Sequence, residues 1–333
     1  MRLQRSLLLA ATLLAFGVIA LGAYVRLSDA GLGCPDWPGC YGHLLGVPDE
    51  AHEQLAASQA FPGRPVETGK AWKEMLHRYF AGTLGLLILG IFLNAWRRDV
   101  RQRQSPLLPS LLLAIVGLQA ALGMWTVTLL LKPVIVTLHL LGGMTTLALL
   151  LTLLLRDGQA PSLARGGGLR LLAGLALLLV IAQIALGGWV SSNYAALACS
   201  DFPLCQGQWK PPMELAQGFT VHRELGYGAD GSLLSQSALT AIHWSHRLGA
   251  LLVLAAVAML GVVLLRSRWR GGRAWGSLLF ALLGLQIGLG IANVLLSLPL
   301  GLAVAHNLGA AALLSAVLAV NLRLQQAKSP WQA

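Results

Sequence analysis

The sequence has 333 residues, of which 56% are hydrophobic and only 11% are charged, and its mean hydropathy is +0.67. Because a soluble domain carries about 25% charged residues, this composition excludes an ordinary soluble globular protein. The net charge of +11 does not indicate a nucleic-acid partner, because membrane topology explains how the basic residues are distributed.

Apolar blocks long enough to cross a bilayer, which takes about 20 residues, follow one another along the chain. Only helices suit them, because a lipid-exposed backbone must satisfy its own hydrogen bonds. The predicted transmembrane helices cover 6–24, 74–95, 107–130, 134–155, 169–190, 240–265, 275–296 and 302–322. The first block resembles a signal peptide, but it is longer than the usual apolar region and lacks a small-residue cleavage site. The predicted fold class is an all-α integral membrane protein with eight transmembrane helices.

The charges predict the orientation of these helices. With the N-terminus in the cytoplasm, most Lys and Arg residues fall on the cytoplasmic side, with only two acidic residues, Asp99 and Asp157. This positive-inside bias predicts a multi-pass protein of the cytoplasmic membrane with both termini inside. The two long loops, 25–73 and 191–239, are then both outside.

The chain repeats itself at an offset of 165 to 169 residues. GAYVRLSDAGLGC at 22 aligns with GGWVSSNYAALAC at 187, and CPDWPGC at 34 with CSDFPLC at 199. HRYFAG at 77 resembles HRLGA at 246, QAALGMWTV at 119 resembles QIGLGIANV at 286, and TLHLLGG at 137 resembles VAHNLGA at 304. The repeat predicts two pseudo-symmetric four-helix bundles, at 1–157 and 169–333, joined by a cytoplasmic linker at 158–168.

Four histidines match across the repeat: His77 with His246 on the second helix of each half, and His139 with His306 on the fourth. Two imidazoles that face each other across a bundle suit the two axial positions of a haem iron. A zinc site would need three or four converging ligands, and a lone membrane histidine would more simply make an interhelical hydrogen bond. Small residues that would leave room for a macrocycle follow the histidines, at Gly82, Gly85, Gly142, Gly143, Gly249 and Gly309.

The residues next to these histidines differ in a way that indicates chemistry. Glu74 stands three residues before His77, whereas His243 stands three residues before His246, and residues i and i+3 share a helix face. Glu74 is therefore a candidate acid, base or cation-stabilising group; the alternative is a first-turn glutamate favoured by the helix dipole. Arg78 and Arg247 directly follow a histidine and are candidate contacts for haem propionates; the alternative is that they extend to the lipid headgroups.

The outer loops carry all four cysteines. Outside the cytoplasm disulfides persist, and of the three pairings that four cysteines allow the repeat favours Cys34 with Cys40 and Cys199 with Cys205. A staple that shapes each loop is the favoured interpretation. A redox role, including a transient bond to a thiol-disulfide partner, stays open, and a metal site is the least favoured.

The twin halves, the paired histidines, Glu-x-x-His in the first half and the Cys-bearing outer loops together resemble the haem A synthase family over nearly the whole chain. The resemblance implies a bacterial oxidoreductase that converts haem O to haem A by oxidising a porphyrin methyl group to a formyl group, for terminal oxidases. It implies that His77 and His139 hold the substrate haem O beside a catalytic Glu74, and that His246 and His306 hold a resident haem b. Some family members carry a cysteine pair in only one outer loop, whereas this chain carries one in both.

Two other classes of protein compete with this interpretation. A dihaem b-type electron-transfer cytochrome would use equivalent halves and would have no need of Glu74. A haem transporter would show paired helix breaks near the midplane, yet the only candidates are Pro133 and Pro299, both near outer loops. The expected partners of the enzyme are the bilayer, the enzyme that makes haem O and an electron donor; a homo-oligomer is left open.

Overall fold

The computed structural model describes residues 2–102, 105–157, 167–267 and 271–325, and helices dominate these ranges. The helices are α1 (Arg2–Leu27), α2 (Ala51–Ala60), α3 (Thr68–Ala95), α4 (Arg98–Arg101), α5 (Leu107–Thr128), α6 (Pro133–Asp157), α7 (Gly167–Ser192), α8 (Leu215–Gly218), α9 (Gln236–Arg266), α10 (Gly272–Leu295) and α11 (Leu300–Gln325). Eight of them, α1, α3, α5, α6, α7, α9, α10 and α11, are long and apolar enough to cross a membrane. The predicted fold class is confirmed.

Two of the membrane helices begin earlier than their apolar blocks. Helix α3 begins at Thr68 and α9 at Gln236, several residues before the predicted starts at 74 and 240. A helix does not need apolar residues outside the bilayer, and a cap is enough to begin it. The Ser235 side chain accepts a hydrogen bond from the N–H of Ala238 and caps α9 in this way.

The chain forms two compact units. The N-terminal unit comprises the described parts of 1–146 with 220–233, and the C-terminal unit comprises the described parts of 147–219 and 234–333. In the C-terminal unit α7 packs on α9, α9 on α10 and α10 on α11, and α11 returns to α7, which closes a four-helix bundle. In the N-terminal unit α3 packs on α1 and on α5. The predicted division at 158–168 stays a prediction, since residues 158–166 lie outside the described residues.

The backbone repeats as closely as the sequence does. Within the described residues, the non-glycine residues with positive φ form pairs at the repeat offset: Asp29 with Tyr194, Tyr41 with Gln206, Leu130 with Ser297, and Leu131 with Leu298. Positive φ is uncommon outside glycine, so its recurrence at matched positions shows that the backbone conformation itself is repeated. The two halves share the backbone conformation of these turns even where the side chains differ.

Each outer loop contains a disulfide close to the first turns of a membrane helix. Cys34 is bonded to Cys40 and Cys199 to Cys205, and all four residues are fully buried. The first bridge packs against Met75 of α3 in a small apolar cluster. The second bridge packs against Trp244 of α9.

Candidate functional site: two histidine pairs beneath disulfide loops

The structure brings the members of each predicted histidine pair together. His77 on α3 and His139 on α6 belong to the N-terminal unit, and their rings are close enough to interact electrostatically. His246 on α9 and His306 on α11 do the same in the C-terminal unit. Each unit therefore places two imidazoles from different helices in one region.

Each of the four imidazole rings lies against a glycine of a neighbouring helix. A Cβ atom at Gly22 of α1 would lie 3.0 Å from Cε1 of His77, and one at Gly187 of α7 would lie 3.1 Å from Cε1 of His246. These distances are shorter than ordinary van der Waals contact. Only glycine lets the α1 and α7 backbones approach the rings this closely.

The histidines on the fourth helix of each half have the same arrangement. A Cβ atom at Gly123 of α5 would lie 3.4 Å from Cε1 of His139, and one at Gly290 of α10 would lie 3.1 Å from Cε1 of His306. The four glycines occupy matched positions of the repeat. The backbone of each glycine lies against the ring and limits where the ring can lie.

Glutamine side chains accompany three of the four histidines. The Gln183 amide nitrogen lies 3.0 Å from Nδ1 of His246 and donates to the His246 carbonyl oxygen at 2.9 Å. The Gln286 amide nitrogen lies 3.3 Å from Nε2 of His306. The Gln119 side chain lies against the helix turn that follows His139. Gly142, Gly249 and Gly309, which the sequence suggested as room for a macrocycle, lie against these glutamine side chains.

The buried ring nitrogens provide a test of whether the histidines fit a haem. Nδ1 of His77, of His139 and of His306 is buried without a hydrogen-bond partner. Leaving a buried polar atom unpaired costs free energy, and such an atom in a native site calls for a partner beyond the protein's own groups. Paired imidazoles are a donor set that binds haem iron, so the residues present fit the group.

Glu74 lies beneath the first disulfide loop. It is almost completely buried, its Oε2 accepts the N–H of Cys34 at 3.0 Å, and its Oε1 accepts a hydrogen bond from the guanidinium of Arg78. Arg78 also donates to the carbonyl oxygens of Asp36 at 2.9 Å, Pro38 at 3.2 Å and Gly39. Both members of this ion pair belong to α3, and their hydrogen bonds to the backbone of the disulfide loop join the loop to the helix.

His243 occupies the corresponding position in the C-terminal unit. Its Nδ1 lies 3.3 Å from the N–H of Cys199, and its Nε2 accepts a hydrogen bond from Nε of Arg247 at 3.2 Å. Arg247 donates to the carbonyl oxygens of Asp201 and Leu204, both at 2.8 Å, and of Cys199 at 2.9 Å. The two networks have the same design, with a carboxylate in one and an imidazole in the other.

Both arginines therefore have roles that sequence analysis missed. Their guanidinium groups bind loop carbonyl oxygens, and such a role has no signature in a single sequence. The predicted contacts of Arg78 and Arg247 with haem propionates stay predictions. The glycines that seat the rings and the glutamines beside them were also missed as site residues, although the aligned segments at 22, 119, 187 and 286 contain most of them.

The fold and the site define an all-helical, multi-pass membrane protein with two histidine pairs in duplicated halves, a class that includes haem-handling enzymes and cytochromes. The chain belongs to the COX15-CtaA family, described as cytochrome oxidase assembly protein, which it matches over residues 5–318.

Similar proteins with curated names agree with this assignment. A protein of Shewanella oneidensis named "Heme A synthase" is 45% identical over 308 residues, which cover 91% of each chain. A protein of the same name from Mesorhizobium japonicum is 31% identical, with 92% of this chain and 86% of the relative covered. Another from Halalkalibacterium halodurans is 28% identical, with 92% and 93% covered.

Proposed function

We propose that the chain is a haem A synthase, an oxidoreductase that oxidises a methyl group of haem O to a formyl group and so supplies haem A for terminal oxidases. Membership of the family and the name shared by similar proteins support this activity. The observation that carries the proposal for the site is the replacement of His243 by Glu74 in otherwise matched networks, because an electron carrier with equivalent halves would not need the acid.

The two histidine pairs bind different haems. His77 and His139 hold the substrate, haem O, and His246 and His306 hold a resident haem b, which when bound supplies one-electron transfer. The unpartnered ring nitrogens of His77 and His139, and that of His306, support these assignments, as do the glycines that lie against all four rings. In the proposed enzyme 1–157 is the substrate half and 169–333 the electron-transfer half.

Glu74 is the proposed catalytic residue. Its carboxylate is positioned by the N–H of Cys34 and by Arg78, so it is held on the outer side of the helix that carries His77. A fixed carboxylate stabilises positive charge developing at the reacting methyl carbon, because preorganised groups need no reorientation during the reaction. Arg78 and the loop are positioning groups for it.

The proposed location is the bacterial cytoplasmic membrane with both termini in the cytoplasm, as the positive-inside pattern favours. Both disulfide loops then face the oxidising side, where such bonds persist. The proposed partners are the enzyme that makes haem O, an electron donor and, for the loop cysteines, a thiol-disulfide partner.

The experiment that tests the function compares wild type with Glu74→Gln and His243→Gln. Each protein is purified from cells supplied with haem O, and its pigments are extracted and identified by mass. We expect haem A in the wild type and in His243→Gln, and a fall of about 10²- to 10⁴-fold in Glu74→Gln, the range for loss of an acid-base group. If all three proteins yield only haem b and no haem A, the dihaem electron-transfer cytochrome is the better interpretation.

A further inference from the structure

Three of the four histidine sites share a construction that the fourth lacks. Three residues after His139, His246 and His306 stands a glycine, Gly142, Gly249 or Gly309, and a methyl group added there would overlap the side chain of Gln119, Gln183 or Gln286. The histidine and the glycine that follows it by three residues lie on one face of their helix. The glutamine comes from a neighbouring helix, packs against that glycine and so lies beside the histidine. The glycine makes the room that the glutamine fills.

The glutamine contacts in the C-terminal unit hold the histidine as well as filling space. One amide of Gln183 reaches both the ring and the backbone carbonyl oxygen of His246, so it restrains the side chain relative to its own helix. Gln286 reaches the His306 ring with its side-chain amide. A hydrogen-bonded imidazole loses this bond when it swings away from its place.

The site of His77 has no such support. At the repeat offset of α1 and α7, Val18 stands where Gln183 stands, and at the offset of α3 and α9, Phe80 stands where Gly249 stands. Valine has no donor to offer an imidazole, and phenylalanine fills the space that the glycine leaves open at the other three sites. At this site valine replaces the glutamine, and phenylalanine replaces the glycine that makes room for it.

We infer, on the basis of the proposed function, that His77 is the exchangeable histidine of the substrate pair and that Gln119, Gln183 and Gln286 are positioning residues that hold the other three histidines in place. If bound haem O is to activate the oxidant for its own methyl group, one of the two histidines that would hold it must be able to give way, whereas both histidines of an electron-transfer haem would stay in place. The weakly supported histidine lies on α3, the helix that also carries Glu74, so the position that opens is on the same helix as the proposed catalytic group.

The first experiment measures haem retention in two cavity variants, His77→Gly and His139→Gly. Both are purified from cells supplied with haem O, and the bound haem O is quantified by mass against the resident haem b. Because the Gln119 side chain packs against the helix turn that follows His139 and nothing equivalent supports His77, His77→Gly should retain about fivefold more haem O than His139→Gly, a difference of about 1 kcal/mol. Equal loss in the two variants, or the reverse order, overturns the inference.

The second experiment transfers the construction between the halves and records carbon monoxide binding to the reduced proteins. Wild type should bind carbon monoxide at haem O only. Val18→Gln with Phe80→Gly should reduce that binding about fivefold, whereas Val18→Ile, which adds bulk without a donor, should not. Gln183→Leu should introduce carbon monoxide binding at haem b. The haem b content and the elution profile of each variant report whether it has folded.

The outcomes separate this inference from the proposed function. If the wild type binds haem O and carbon monoxide as expected but forms no haem A, the proposed function fails and the assignment of His77 stands. If haem A forms but carbon monoxide binding is unchanged in both the Val18→Gln/Phe80→Gly and the Gln183→Leu variants, the function stands and the inference fails. A wild type that holds neither haem O nor haem A overturns both.

Discussion

The networks beneath the two outer loops differ at one residue in an otherwise shared design. In each half the residue three positions before a histidine meets the N–H of the first loop cysteine, and an arginine after that histidine anchors loop carbonyl oxygens. Glu74 fills this position in the N-terminal unit and His243 in the C-terminal unit. The comparison teaches that the two halves keep the same scaffold beneath the loop while the side chain that the scaffold holds differs, a carboxylate in one half and an imidazole in the other.

A second difference lies on the same helix. Phe80 follows His77 by three residues, just as Glu74 precedes it by three, so both departures from the C-terminal unit flank one histidine. Val18 on the neighbouring α1 completes the change. These three differences between the halves all lie around His77, the histidine proposed to give way in the substrate site.

The largest expected effect comes from breaking the Glu74–Arg78 ion pair. Arg78→Leu leaves a buried carboxylate without its counter-charge and should lower the free energy of unfolding by about 3–5 kcal/mol. Arg247→Leu leaves a neutral imidazole one partner short and should cost about 1–3 kcal/mol. Thermal unfolding of the purified proteins in detergent measures both; equal costs would mean that Glu74 carries no charge in the folded protein.

Removal of the disulfides should separate stability from function. The paired substitutions Cys34→Ala with Cys40→Ala, and Cys199→Ala with Cys205→Ala, should each cost about 2 kcal/mol, since each bridge closes a short loop. Only the first pair should also reduce haem A formation, because the backbone of Cys34 positions Glu74. An equal loss of haem A from both variants would show that the loops act only through stability.

Substitution of a glycine that lies against a histidine ring should have a smaller and more local effect. Gly22→Ala places a methyl group 3.0 Å from Cε1 of His77 and should cost about 1–2 kcal/mol, with a change in the absorption spectrum of the bound haem. Gly17→Ala, on the same helix, meets no atom within 4 Å and is the matched control: it should be neutral or stabilising, as alanine favours helix. Identical spectra for the two variants would contradict a seating role.

The smallest effect concerns the pH dependence of the second loop. Hydrogen bonds from the backbone N–H of Gly207 and of Gln206 hold the pKa of Asp201 below its usual 3.8. A lowered folded-state pKa stabilises the protein above the unfolded value, and that contribution is lost as the pH falls through the folded value. The difference in melting temperature between wild type and Asp201→Asn should therefore be present at neutral pH and shrink below about pH 4; a constant difference would exclude this linkage.

Particular residues show how far the sequence alone reaches. The eight transmembrane helices follow from apolar blocks, because a bilayer permits few other structures, and the four histidines and Glu74 stand out because polar groups are costly there. The duplication brought the cysteine pairs, Arg78 and Arg247 to notice. All of these depend on local composition or on comparison of one half with the other.

Only the tertiary structure decided what those residues touch. That Arg78 binds loop carbonyl oxygens more than 35 residues earlier, that Gly22 seats His77 and that Gln183 fills the space above Gly249 are contacts between separate helices or between a helix and a loop. Hydrophobic periodicity specifies which residues enter a membrane, but it is the same for many ways of packing helices together. The rotation and spacing of neighbouring helices determine which polar groups meet, and these come from close packing of the whole bundle.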